Sequence, residues 1–195
     1  YNVFMAFEDF KKKDAVVLVY TGDGKGKTSA SVGLLARALG HGWKVAYIQF
    51  VKTWATGESH FIEKIQETNV YGEKLFYFRG GKGFFDAGDI SAKGVSEAEH
   101  KQAAEETYNM AIKKASSGEY DLVICDEINN SVHDGLLDKE KLKDLLTKRD
   151  PKTSVCVTGR NFPVDLIKYT DIATDMTKIK HHFDDKYLAN EGIDY

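Results

Sequence analysis

Eight consecutive residues, Gly22-Asp23-Gly24-Lys25-Gly26-Lys27-Thr28-Ser29, separate two segments of opposite periodicity. Before them, Val16-Val17-Leu18-Val19-Tyr20 is an apolar, β-branched run that reads as a buried strand. After them, Ser29-Ala30-Ser31-Val32-Gly33-Leu34-Leu35-Ala36-Arg37 opens a helix. A strand, a glycine-rich turn and a helix in that order make a phosphate cradle. Successive backbone N–H groups converge on phosphate oxygens, and glycines let the backbone approach closely. The cradle lysine, Lys27, neutralises phosphate charge, and the hydroxyl of Thr28 ligates Mg²⁺. The spacing departs from the usual G-x-x-x-x-G-K-T: Thr21 holds the first position, and Gly22 is one residue closer to Gly26. The competing reading is an ordinary glycine-rich turn, which the flanking strand and helix oppose.

The rest of the chain repeats that alternation. Apolar runs at 15–20, 44–50, 74–78, 120–125, 153–158 and 172–179 predict strands, and periodic stretches at 27–40, 59–68, 96–117, 139–148 and 163–169 predict helices. Ser96 with Glu99 predicts a capping box, Asn161 a cap for the helix holding Pro163, and Gly40 the end of the first helix. Alternating strands and helices predict an α/β fold of three layers, a RecA-like P-loop NTPase with a mostly parallel sheet of about six strands. Residues 15–195 are expected as one nucleotide-binding domain. Residues 1–14 are expected as an arm or helix, with Val3, Phe4, Met5, Phe7 and Phe10 packing on this domain or on a partner subunit. The segment 79–94 holds five glycines and the adjacent Phe84 and Phe85, and reads as a functional loop.

Composition narrows the partners. With 27 Lys+Arg against 30 Asp+Glu, the net charge of −3 supplies no general attraction to nucleic acid. No apolar run reaches the ~18 residues of a membrane span. With no leader pattern either, the protein reads as cytoplasmic. Cys125 and Cys156 lie within apolar runs and are expected as reduced core thiols.

Three further clusters fall at strand ends, which a parallel sheet gathers along one edge. Asp126-Glu127 follow the strand ending at Cys125, a Walker B pattern suited to holding Mg²⁺ with Thr28; alone, such acids are as often helix caps. Thr158-Gly159-Arg160 follow another strand. Arg160 and Arg37 are candidate phosphate contacts, against the plainer reading of surface ion pairs. Gln49-Phe50-Val51-Lys52, Trp54 and Gly57-Glu58 form the third cluster. There Lys52 reaches a phosphate and Trp54 walls a planar ligand, or both are ordinary loop residues.

Taken together, Tyr20–Ser29, Ala36–Gly42, Gln49–Lys52 with Trp54 and Gly57-Glu58, Asp126-Glu127, Thr158–Arg160 and Gly192-Ile193-Asp194-Tyr195 resemble the ATP:corrinoid adenosyltransferases of the CobA/BtuR type. The matches keep that family's order and approximate spacing from about Val16 to Tyr195. The family's loop reads T-G-N-G-K-G-K-T-[TS], so the short spacing is its habit, with Asp23 replacing Asn. The resemblance implies transfer of the 5′-deoxyadenosyl group of ATP to the cobalt of a reduced corrinoid, with release of triphosphate. It implies ATP contacts from Gly22 through Ser29, Arg37 and Arg160, and catalysis by Lys27, Thr28 and Glu127. Mg²⁺ or Mn²⁺ would be held by Thr28, Asp126 and Glu127, and corrinoid contacts come from Trp54, Glu58, Phe84 and Phe85. It also implies a homodimer and an electron-donating reductase such as a flavodoxin.

Two departures stand out. The family's loop carries a tryptophan two residues after the position of Phe84, where this chain has Asp86. The run Asp184–Asn190 differs from the family's tail, and His181 and His182 read as polar loop residues rather than metal ligands. No D-x-H-x-x-G pattern is present, so a corrinoid is expected as substrate rather than resident cofactor. The alternatives are a P-loop kinase or ATPase acting at the γ-phosphate, and a nucleotide-gated binding module.

Overall fold

A computed structural model describes residues 10–83, 85 and 94–195. Six strands form the sheet: β1 (Val17–Thr21), β2 (Val45–Gln49), β3 (Leu75–Arg79), β4 (Leu122–Asp126), β5 (Ser154–Thr158) and β6 (Ile172–Asp175). Their order is β3-β2-β4-β5-β1-β6, and every pairing is parallel. Parallel neighbours need crossovers; those from β1 through to β5 carry the helices α1 (Lys27–Gly40), α2 (Gly57–Thr68), α3 (Glu97–Ser116), α4 (Ile128–His133) and α5 (Lys139–Thr147), and the one from β5 to β6 carries a 3-10 segment.

Alternation along the strands divides the core into two layers. Val17, Val19, Ile48, Val123, Cys125 and Val157 face one side, against Ala104 and Ala111 of α3, Ile128 of α4 and Leu142 and Leu145 of α5. Leu18, Tyr47, Ile124 and Cys156 face the other, against Leu35 and Leu39 of α1 and Ile62 of α2. This is the expected three-layer α/β fold. Cys125 and Cys156 are free, buried and on opposite faces of adjacent strands, which excludes a bond between them. One polar pair lies in the second layer, where the Ser31 and Tyr47 hydroxyls meet at 2.7 Å.

Several local signals hold and several do not. Ser96 caps α3 reciprocally: its hydroxyl accepts from the Glu99 N–H, and the Glu99 carboxylate accepts from the Ser96 N–H at 2.8 Å. The helix α2 begins two residues earlier than expected because Thr56 and Ser59 make a second capping box. The first helix does end at Gly40, but the left-handed reversal falls on Gly42, at φ 77°. The stretch expected as a helix from Pro163 is a 3-10 turn, Val164–Tyr169, and Asn161 does not cap it; Asn161 itself is left-handed at φ 54°. The helix α4 is too short to show periodicity in sequence. The last strand stops at Asp175, because β1 ends at Thr21 and leaves no partner beyond. Residues 1–9 of the expected arm, with Val3, Phe4, Met5 and Phe7, lie outside the described residues. Among the described residues no helix is long and apolar enough to cross a membrane.

Gly33 sits in the exposed interior of α1, and a methyl group there would meet nothing within 4 Å. Replacing it by alanine removes backbone freedom from the unfolded chain at no steric cost. Gly33→Ala is expected to stabilise by about 1 kcal/mol, raising the melting temperature by roughly 2–4 °C.

Candidate active site

All strands being parallel, the ends of β1, β2, β4 and β5 open on one edge. The cradle leaves β1 at Thr21 and enters α1 at Lys27. Gly22 and Gly26 adopt φ of 98° and 106°, the left-handed region where a side chain is strained. The back of the loop is packed on the residues that follow β6. The Gly24 N–H donates to the Met176 carbonyl at 2.6 Å, and a Cβ on Gly24 would stand 2.5 Å from that same oxygen. Thr21 can replace the usual first glycine because it still pairs as strand, and its hydroxyl accepts from the Phe162 N–H at 3.2 Å.

Gly24→Val forces a side chain against the Met176 backbone, at a cost of about 1–3 kcal/mol, and shifts the N–H groups of the cradle. An ATP affinity reduced by roughly tenfold or more, in a protein that still folds, is the expected outcome by calorimetric titration.

Lys27 is half-buried, and its ammonium donates to the carbonyls of Gly22 and Gly24 at 2.6 and 2.7 Å. Burial, then the charge of Arg160, lowers its pKa, while Glu127 and Asp23 oppose the shift. The charges of Arg160, Glu127 and Asp23 thus all act on the lysine. Arg160 is exposed, with its backbone N–H donating to the Asn130 carboxamide oxygen at 2.8 Å. Arg37 is not brought to the cradle. It lies in the last turn of α1, ten residues beyond Lys27, which is about 15 Å along the axis. There it faces the negative end of the helix dipole.

Asp126 is fully buried and heavily bonded. Its carboxylate accepts from the Thr158 hydroxyl at 2.7 Å and the Gln49 carboxamide at 3.2 Å, with the Thr28 hydroxyl at 3.4 Å. Tyr77 extends this chain, donating to the Gln49 oxygen at 2.6 Å. Glu127 is different. It is left-handed at φ 63°, held there by its N–H on the Thr158 hydroxyl at 2.9 Å, and its Oε2 is buried without a hydrogen-bond partner. Burial, reinforced by Asp126, pushes its carboxyl well above the carboxylate range, against the pull of Lys52 and Lys27.

An unpartnered buried oxygen beside a second carboxylate and a hydroxyl is a fit for a hard divalent cation. Thr28, Asp126 and Glu127 offer oxygen alone. Among the described residues no group of three or more His, Cys, Asp or Glu could hold a metal. A set of two carboxylates and one hydroxyl fits Mg²⁺, which takes one or two carboxylates and completes its shell with phosphate oxygens and water.

Lys52 and Glu58 pair at 2.6 Å with both side chains largely buried, and the Lys52 ammonium lies 3.9 Å from Asp126. Burial by itself would lower Lys52; Asp126, Glu127 and Glu58 outweigh it and hold the ammonium above its ordinary value. Glu58 is thus committed to Lys52, whose hydrogen bond overcomes the effect of burial and lowers its pKa. Trp54 is 40% exposed, and its carbonyl accepts from Arg79.

The glycine loop starts from this edge. Gly80 and Gly83 donate to the carbonyls of Gln49 and Val51 at 2.9 and 2.8 Å, and a Cβ on Gly81 would stand 2.2 Å from the Val51 backbone. Phe85 is half-buried, packs on the core and meets the His100 ring edge-on at 5.4 Å. Phe84 and Asp86 lie outside the described residues. Beside the cradle, on the β6 side, a cleft of about 340 Å³ is bordered by Asp23, Asn161, Phe162, Asp175 and Lys178.

Sequence reading missed the supporting groups Asn129, Asn130, Tyr77 and Met176. Asn129, which donates to the Gly159 carbonyl at 3.2 Å, and Asn130, which accepts from the Arg160 N–H at 2.8 Å, follow the Asp126-Glu127 pair after Ile128, a position that offered a signal. Met176 acts through its backbone and offered none.

The ATP:corrinoid adenosyltransferase BtuR/CobO/CobP family model matches residues 13–195. The chain is 32% identical over 181 residues to a corrinoid adenosyltransferase of Pseudomonas aeruginosa, covering 92% of this chain and 83% of the relative. It is 33% identical over 182 residues to one from a Sinorhizobium species, with 92% and 80% covered. With the corrinoid adenosyltransferase CobA of Salmonella typhimurium it shares 29% over 191 residues, 95% and 88% covered. A cradle with the family's short spacing, a carboxylate pair across from it and a match over nearly the whole chain lead to one conclusion: this chain belongs to the ATP:corrinoid adenosyltransferase family.

Proposed function

We propose that this protein transfers the 5′-deoxyadenosyl group of ATP to the cobalt of a reduced corrinoid and releases intact triphosphate. The observation that carries this reading is the convergence on one sheet edge of Lys27, Thr28, Asp126 and the unpartnered Glu127 oxygen, next to the anchored base of the glycine loop. In such a displacement the cobalt lone pair forms the Co–C5′ bond, the C5′–O bond breaks, and its electrons leave on the triphosphate. The nucleophile carries no proton, so no general base is needed. The chemistry asks the protein to hold and neutralise a leaving group of high charge. Lys27 and the cradle N–H groups do that, in a setting where fixed donors act at little reorganisation cost. Thr28, Asp126 and Glu127 would hold Mg²⁺ or Mn²⁺, which supplies further charge neutralisation when bound.

The same reading assigns Trp54, Phe84 and Phe85 to the corrinoid side. Phe85 packs on His100 of α3; by the family resemblance, Phe84 is the loop aromatic that crowds out the corrinoid's lower axial ligand, which makes the +2 cobalt easier to reduce. Arg160 serves the phosphates, and Arg37 has no such role. Glu58 acts by fixing Lys52 rather than by touching the corrinoid. A flavodoxin-like reductase in the cytoplasm and a homodimer joined through the 1–14 arm complete the picture, and the reduced core thiols suit that compartment. Residues 15–195 act as one nucleotide-binding unit.

Incubation with ATP, Mg²⁺ and chemically reduced cobalamin tests the proposal. The visible spectrum should change to that of an alkylated corrinoid, with one triphosphate formed per corrinoid. Production of ADP and phosphate, independent of corrinoid, would establish a conventional NTPase instead.

A further inference from the structure

Two tail features have no task in the reaction: the pair His181-His182 and the terminal Gly192-Ile193-Asp194-Tyr195. Folding brings them together against the cradle. The Lys25 ammonium lies 3.1 Å from Oδ1 of Asp194 and donates to the Asp194 carbonyl at 3.2 Å. The other carboxylate oxygen, Oδ2, accepts from the Asn190 N–H at 2.9 Å and lies 3.4 Å from Nε2 of His182; Nε2 of His181 stands 4.0 Å from Oδ1. The Asp194 side chain is only 4% exposed, although the neighbouring Ile193 is 81% exposed. One residue on, Tyr195 reaches the start of α2, where a Cβ on Gly57 would stand 3.7 Å from its carbonyl oxygen. Residues 181–195 thus form a strap running from the cradle to the Lys52–Glu58 side of the site.

We propose that Asp194 is a built-in competitor for the triphosphate: its carboxylate holds Lys25 until phosphate oxygens take the ammonium, and recaptures it as the product leaves. This rests on the leaving-group role proposed for the cradle. Lys25 directly precedes Gly26-Lys27, and its charge is felt at the Lys27 ammonium. Unlike Lys27, it is half-exposed. An ion pair in such a setting is weak enough to exchange. Intact triphosphate is a product of high charge and would otherwise leave slowly from a site built of cations and N–H groups. An intramolecular carboxylate acts at high effective concentration and lowers the cost of emptying that site.

Affinity for inorganic triphosphate with Mg²⁺, measured by calorimetry on the full chain, tests this without turnover. Asp194→Asn keeps the shape of the strap and removes the charge; triphosphate is expected to bind about fivefold tighter. Lys25→Gln should bind more weakly, and adding Asp194→Asn to it should change nothing further. Weaker or unchanged binding in Asp194→Asn, or a gain that persists with Lys25→Gln, overturns the competition. A weakened variant that also loses hydrogen-exchange protection over 181–195 would make Asp194 a positioning residue for Lys25 instead. Wild-type protein that binds no triphosphate overturns the leaving-group reading as well, so the two failures are distinguishable.

Discussion

Lys27→Ala is expected to reduce ATP-dependent adenosylation by roughly 10³-fold or more, a loss of the size seen when a preorganised donor to developing charge is removed. Two effects add. The transition state loses the half-buried cation of the cradle, the charge proposed to face the departing phosphates. The cradle loses its internal brace, because the ammonium ties the Gly22 and Gly24 carbonyls together at 2.6 and 2.7 Å. Those carbonyls belong to the peptide groups whose N–H neighbours must point at phosphate. Initial rates of triphosphate release with chemically reduced cobalamin measure the loss. A rate within tenfold of wild type would remove the cradle from the reaction. Lys27→Arg should recover little, since a planar guanidinium cannot occupy the same compact position between two carbonyls.

Glu127→Gln should separate activity from stability. Its Oε2 is buried without a partner, and burial with Asp126 raises its pKa to about 7. A folded value above the unfolded one means that the folded state binds the proton more tightly. The ionised carboxylate is therefore a stability cost, absent below the unfolded pKa, growing as pH rises and complete above about 7. In metal-free buffer at pH 8, Glu127→Gln is expected to be more stable than wild type by on the order of 1 kcal/mol, or roughly 3 °C in melting temperature. Below pH 4 the two proteins should melt alike. Activity moves the other way. Loss of a charged oxygen from the cation site should lower turnover roughly 100-fold and raise the Mg²⁺ concentration needed for half-maximal rate. Equal Mg²⁺ dependence in the two proteins would take Glu127 out of the cation site. Coincident melting curves at every pH would show that its carboxylate is not under strain.

The layers of this fold are legible because each rests on local chemistry. Runs such as Val16–Tyr20 and Leu122–Cys125 are apolar throughout, as strands covered on both faces must be, and Ser96 with Glu99 marks its helix without help from elsewhere. Asn161 and Pro163 gave the opposite result. Their residue types suit a cap and a first turn, but the chain must fold back onto Thr21 through the Phe162 N–H, and only a tighter 3-10 turn follows. For Arg37 the motif fixes only a position in the chain; the helix sets it ten residues, about 15 Å of axial rise, beyond Lys27.

By itself, then, the sequence determined the strand–loop–helix cradle, the carboxylate pair at the end of β4 and the family to which the chain belongs. Each depends on residues adjacent in the chain, or on a parallel sheet aligning its strand ends. The tertiary structure alone decided what those residues meet: Met176 behind Gly24, Lys52 on Glu58, the empty hydrogen-bonding capacity of Glu127 and Asp194 on Lys25. Those contacts join residues as far as 169 positions apart. Charge, burial and hydrogen bonding at such pairs are properties of the packed chain, and no periodicity or motif encodes them.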